Sequence, residues 1–167
     1  MFDMLFEFSH ETLPFGKAEI WCKPVDWTLT DLKRAISESQ RATAKTGWYP
    51  AYLENHDQPR SVNHFLPNAS DSKKAAKVLG AVLLTMRGTP FIYQGQELGM
   101  TNRDWRDIDE INDVQTKGQY DLALKEGFSP EEAMKFIRYF TRDNARTPMQ
   151  WSADDNAGFT SGESWLP

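Results

Sequence analysis

The run Tyr49-Pro-Ala-Tyr-Leu53 ends without transition in Glu54-Asn-His-Asp-Gln58, and Pro59 follows. A short run rich in aromatic residues has the character of a buried strand. A buried strand whose far end presents Asn, His and Asp together suits the C-terminal mouth of a parallel β-barrel, where chemistry is carried on loops. Asx side chains also stabilise turns through their own backbone. The residues alone therefore leave a second reading open, a polar loop in which Asn55 and Asp57 only cap a turn.

The flanking patterns favour alternating strands and helices. Met1 to Phe8 alternates loosely and reads as a strand, and Ser9 to Trp27, with Pro14, Gly16 and Pro24, reads as a loop. Trp21 and Trp27 either offer a flat apolar face to a ligand ring or pack down on the fold. From Thr30 a helix carries Leu32, Ala35, Ile36, Ser39 and Ala42 on one stripe, and Gly47 stops it. After the motif loop, Ser70 or Asp71 opens a second helix running to about Met86, whose broad apolar set suits a helix covering a barrel strand. Phe91-Ile-Tyr93 is then a final short strand, with Pro90 tolerated at its start. This order argues for parallel α/β architecture.

Gln94 to Thr116 reads as an irregular, solvated loop and Lys117 to Gly127 as a weak helix. Ser129-Pro-Glu-Glu132 combines an N-cap, a first-turn Pro and a capping-box Glu, and Ala133, Phe136, Ile137 and Phe140 follow as an apolar stripe. After Asp143 the chain is loop-like to Pro167.

At 167 residues, 40% of them hydrophobic and 13% aromatic, the chain can bury one ordinary core. A complete (β/α)8 barrel takes about 250 residues, so a barrel reading makes this a truncated one. A formal charge of −5 argues against a nucleic-acid partner and says nothing against a neutral one. No basic segment precedes an apolar run, and no stretch is long and apolar enough for a membrane span. Cys22 has no partner for an internal disulfide, which suits a reducing cytoplasm or simply a buried small residue. Asn68-Ala-Ser70 fits a glycosylation sequon, a triplet common by chance. His10, His56 and His64 are not spaced as metal ligands, and no phosphate-cradling glycine loop occurs, so neither metal nor cofactor is expected.

Three segments resemble the α-amylase superfamily of glycoside hydrolases (family 13), most closely its oligo-1,6-glucosidase and dextran glucosidase branch. They are Glu54 to Arg60, Gly88 to Asn102 and Arg142 to Trp151, in the family's own order. The resemblance implies a partial TIM barrel, about strands 6 to 8 with their helices. Residues 1–145 are the C-terminal portion of that barrel, and 146–167 lead toward a C-terminal β-domain. It implies a retaining, exo-acting α-glucosidase whose substrates are short gluco-oligosaccharides. Such enzymes use a nucleophile and a general acid around an oxocarbenium-like transition state. By resemblance both lie on earlier strands upstream of Met1, so the chain alone is expected to be inactive.

Asp57 matches the third catalytic carboxylate of the family, and His56 and Arg142 match residues that hold the same sugar. An imidazole donates to a hydroxyl without charge, and a guanidinium offers several donors at permanent charge. Arg142 reads alternatively as a structural salt bridge at a helix end. Arg60 and Arg146 are assigned to holding loops against the barrel, and Glu97 to a structural role. Gln115 falls near a glutamate that contacts the reducing-side sugar in dextran glucosidases, which weakens the case for strict α-1,6 specificity. Exposed sheet edges imply self-association. A trehalose-6-phosphate hydrolase, a non-catalytic subunit with the same barrel, and an unrelated α/β binding domain are the competing readings.

Overall fold

Residues 3–16 and 20–167 are described by a computed structural model. Its framework is a parallel β–α–β unit. Strand β1 (Pro50–Ala51) pairs with β2 (Thr89–Pro90) in the register Pro50 to Thr89 and Ala51 to Pro90. Two bonds extend the ladder, from Thr89 N to Tyr49 O at 2.9 Å and from Phe91 N to Ala51 O at 2.8 Å. The approach is close enough to require glycine beside it. Gly88 has φ of 147°, and a Cβ there would lie 2.3 Å from Tyr49 O.

Both strands are shorter than the apolar runs that announce them. Tyr52 and Leu53 stay buried but leave the ladder, and Phe91 to Tyr93 follow β2 rather than forming it. The expected strand at Met1 to Phe8 is corrected more strongly. Met1 and Phe2 lie outside the described residues, and Asp3 to Phe8 form no strand. That segment is held by bonds from Trp48 N to Asp3 O at 2.9 Å and from Tyr52 Oη to Glu7 O at 2.8 Å, and by the Phe6 ring against Tyr52 and Phe91. Apolar alternation announces a face for burial, but a ladder also needs a partner backbone at bonding distance.

The helices follow their caps. Helix α1 (Leu29–Ala42) starts on a Thr28–Asp31 capping box, one residue before the expected Thr30. Helix α3 (Ser72–Thr85), between the two strands, starts where the Asp71 side chain accepts from Lys74 N. A short α2 (Ser61–Phe65), unannounced by the sequence, turns the chain after the motif loop. Helix α4 (Val114–Lys125) begins three residues before the expected Lys117, because Asp113 serves as its N-cap. Helix α5 (Pro130–Phe140) has the expected Ser129–Glu132 capping box. Helices α4 and α5 pack together as a hairpin turned at Gly127.

Two apolar clusters result. One joins Tyr49, Ala51 and Leu53 to Val62, Phe65 and the inner face of α3. The other lies under the α4–α5 hairpin and contains Trp105, Ile111, Ile137 and Phe140. The two loop tryptophans pack down: Trp21 against Phe15 and Phe140, and Trp27 against Phe65.

Between the clusters lies a buried polar group. His10 Nε2 meets Tyr52 O at 3.0 Å, and Glu11 lies 3.4 Å from His10 and 3.7 Å from His64. Burial pushes the His64 pKa down to about 3 from 6.5, with His10 adding to the shift and the Glu11 backbone opposing it. A folded-state pKa below the unfolded one means this stabilisation is complete above pH 6.5 and drains as pH falls toward 3. Burial pushes the Glu11 carboxyl up, the opposite linkage, so a variant must isolate the imidazole. Thermal melts of the chain should lose Tm more steeply below pH 6.5 than melts of His64→Phe, and equal slopes would refute the assignment.

Candidate active site

The loop after β1 is built from its buried base outward. Glu54 is buried and accepts from Ser61 N at 2.9 Å, Ser61 Oγ at 2.6 Å and Arg60 Nη1 at 3.1 Å. These bonds tie the start of the loop to the start of α2. Between them Asn55 Oδ1 accepts from Asp57 N at 2.8 Å, an Asx-type turn. The turn reading is met: Asn55 makes the turn, and the turn leaves His56 and Asp57 exposed at its tip.

Two arginines converge on Asp57. Arg146 Nη2 donates to Asp57 Oδ1 at 2.7 Å, and its Nε donates to the His56 carbonyl at 2.9 Å. Arg142 Nη1 lies 3.5 Å from the same Oδ1, while His56 Nε2 lies 3.2 Å from Oδ2. Arg142 is itself gripped from behind. Its Nε donates to Asp113 Oδ2 at 2.9 Å and its Nη2 to Asp113 Oδ1, a bidentate fork on a buried carboxylate. Burial works against ionisation of Asp113, but the bonds from Arg142 and Thr116 outweigh it and bring the pKa to about 2. The bonds to Asp113 in turn raise the pKa of Arg142.

The chain places these groups by its helix ends. Helix α5 stops at Phe140, and Thr141 caps a 3-10 turn, Arg142–Ala145, that carries Arg142, with Arg146 as the next residue. Asp113, the N-cap of α4, stands beside it because the hairpin brings the start of α4 to the end of α5. The Trp165 indole donates to the Arg146 carbonyl at 2.9 Å, tying the end of the chain to the arginine that holds Asp57.

His56 and Asp57 line a cavity of about 340 Å³ whose remaining wall is mainly Phe6, Phe8, Tyr52, Phe91, Ile92 and Tyr93. Apolar walls with a few convergent polar groups suit a sugar, which has apolar ring faces and a rim of hydroxyls. The structure therefore brings His56, Asp57 and Arg142 together. It places Glu97 apart, exposed beside a groove under α3 with Leu98 and Leu84. Gln115 is exposed in the first turn of α4, its N–H donating to Asp113 at 3.2 Å. Arg60 is wholly buried and bridges Glu54, Gln94 and Asn144. Among the described residues no group of three or more His, Cys, Asp or Glu side chains is arranged to hold a metal ion.

Sequence reasoning missed two members. Arg146 was expected only to hold loops, yet it donates directly to Asp57. The available signal was its spacing from Arg142, two guanidines bracketing one helical turn. Asp113 was hidden in a stretch read as loop and weak helix, although Asp113-Val-Gln-Thr116 is itself a capping pattern.

The alpha-amylase catalytic domain family matches residues 2–167. The chain belongs to that family. Its TIM-barrel fold is present here in part, since the chain spans about 29% of the length of the relatives it matches. The oligo-1,6-glucosidase of Parageobacillus thermoglucosidasius is 43% identical over 167 residues, covering 99% of this chain and 29% of that protein. The trehalose-6-phosphate hydrolase of Bacillus subtilis (strain 168) is 38% identical, with 99% and 29% covered. Among solved structures, a variant isomaltulose synthase from Erwinia rhapontici NX5, in complex with its natural substrate sucrose, superposes with a TM-score of 0.90. It is 41% identical, with 98% of this chain and 29% of that chain covered. By family this alpha-amylase domain segment is glycoside hydrolase sequence. No helix among its described residues is long and apolar enough to cross a membrane.

Proposed function

We propose that this chain is the C-terminal portion, about strands 6 to 8, of the barrel of a retaining, exo-acting α-glucosidase. Its substrates are short gluco-oligosaccharides with terminal α-1,6 or α-1,4 bonds, and its compartment is the cytoplasm. Residues 1–145 belong to the barrel and 146–167 lead toward a following β-domain. One observation carries the reading: Asp57, beside His56, is held by Arg142 and Arg146 over an apolar-walled cavity. A fixed carboxylate of that kind accepts from two sugar hydroxyls and favours positive charge at the ring as the glycosidic bond breaks. His56 donates to a neighbouring hydroxyl, and Arg142 orients both the sugar and Asp57. Nucleophile and acid come from strands outside this chain, so the chain alone is inert.

The test is a barrel completed by fusing this chain to the upstream part of the Parageobacillus thermoglucosidasius enzyme. Release of p-nitrophenol from p-nitrophenyl α-glucoside by the fusion, with none from the chain alone, is the expected result. A folded but inactive fusion points to the non-catalytic reading. The Bacillus subtilis relative supports trehalose 6-phosphate as a second substrate, and faster turnover of it than of isomaltose would favour that reading.

The isolated chain is also proposed to self-associate. Leu5, Phe6, Phe8, Phe91 and Ile92 are exposed around the two-stranded sheet, and open edges invite pairing. Light scattering should give a mass above that of the monomer, and a monodisperse monomer would refute it.

A further inference from the structure

We infer that Asp113 is a positioning residue for the glycosidic reaction, acting on the sugar only through Arg142; this rests on the proposed reading of Asp57 and Arg142. The guanidinium of Arg142 has two jobs at once. One edge faces Asp57 at 3.5 Å, and the other forks onto Asp113 through Nε and Nη2. A long, flexible side chain at the mouth of a cavity samples several rotamers, and a bidentate carboxylate behind it selects one plane.

Asp113 is built for that work. Its Oδ2 accepts from Thr116 Oγ1 at 2.6 Å, and its Oδ1 accepts from Gln115 N at 3.2 Å. Its backbone N–H and that of Asn112 donate to the buried Asp143 carboxylate at 2.9 and 2.7 Å. The residue beside Arg142 therefore fixes the backbone of the residue that grips Arg142. This closed arrangement joins the start of α4 to the turn after α5, and it reaches the cavity lining only through Arg142, which faces Asp57. Charge balance points the same way. Asp57 and Asp113 are two negative groups alternating with the positive Arg142 and Arg146, so removing Asp113 leaves Arg142 free to collapse fully onto Asp57. Arg142 would then close on Asp57 from its present 3.5 Å and turn its donors away from substrate.

The experiment is a double-mutant cycle in the completed barrel, with folding checked by thermal melts. Asp113→Asn keeps the helix cap and the side-chain shape while removing the charge. It should lower kcat/KM by about tenfold or more. Combined with Arg142→Ala it should cost less than about twofold further, because coupling through one partner is not additive. An equal loss in both backgrounds, or no loss in either, overturns the inference. If Arg142→Ala alone is fully active, the reading of Arg142 as a sugar-holding group fails, a different and recognisable outcome. A second measurement uses the 167-residue chain itself. The Arg142 Nε proton should exchange slowly by NMR, and Asp113→Asn should speed it by about tenfold or more while leaving Arg146 unchanged. Free exchange in the unaltered chain refutes the grip.

Discussion

Asp57→Asn, made in the completed barrel, should lower kcat/KM for p-nitrophenyl α-glucoside by about 10³-fold while moving Tm by very little. An amide has the shape of the carboxylate, so the cavity keeps its walls. It lacks the charge that two guanidinium groups now hold in place, with Arg146 at 2.7 Å and Arg142 at 3.5 Å. As the sugar ring gains positive charge, a fixed anion lowers the barrier more than it tightens ground-state binding, so the loss should fall on kcat more than on KM. Stability should be nearly indifferent, because Asp57 is 45% exposed and such ion pairs contribute at most about 1 kcal/mol. A loss below tenfold would remove Asp57 from the chemistry. Equal losses in activity and Tm would instead make it a structural clamp.

What the sequence announced and what it hid divide along one physical line. Helices α1, α3 and α5 were legible because their signals are local: an apolar stripe for α1, and for α3 and α5 an N-cap side chain that meets a backbone N–H within the first turn. Helix α2 has five residues and an N-cap, Arg60, that makes no side-chain cap bond, so nothing local marks it. The strands were legible as apolar runs but not in their ends, since ladder length depends on a distant partner's backbone. The site divides in the same way. His56, Asp57 and Arg142 stood inside segments that resemble a known family. Arg146 and Asp113 take their roles from contacts spanning 89 and 29 residues of chain, and no local pattern carries that information.

The second large effect concerns what keeps the motif loop in place. Arg60→Met should destabilise the chain by about 3–5 kcal/mol in urea titrations. Arg60 is 1% exposed, and its guanidinium donates to Glu54 at 3.1 Å, to the Gln94 carbonyl at 2.7 Å and to the Asn144 carbonyl at 3.2 Å. It also lies 5.5 Å over the Tyr93 ring. One buried cation thus joins the loop after β1, the loop after β2 and the turn after α5, the three segments that surround the site. Methionine fills the volume but satisfies none of these acceptors, and it leaves Glu54 buried without its countercharge. The cost should be dominated by that stranded carboxylate rather than by lost attraction, since burying the pair already costs desolvation. Adding Glu54→Gln to Arg60→Met should therefore recover part of the loss, because the neutral amide can still accept from Ser61 N and Oγ. If the double variant is as unstable as the sum of the singles, the orphaned carbonyls of Gln94 and Asn144 set the cost. If Arg60→Met loses less than about 1 kcal/mol, the three segments are held by packing and the ion pair is dispensable.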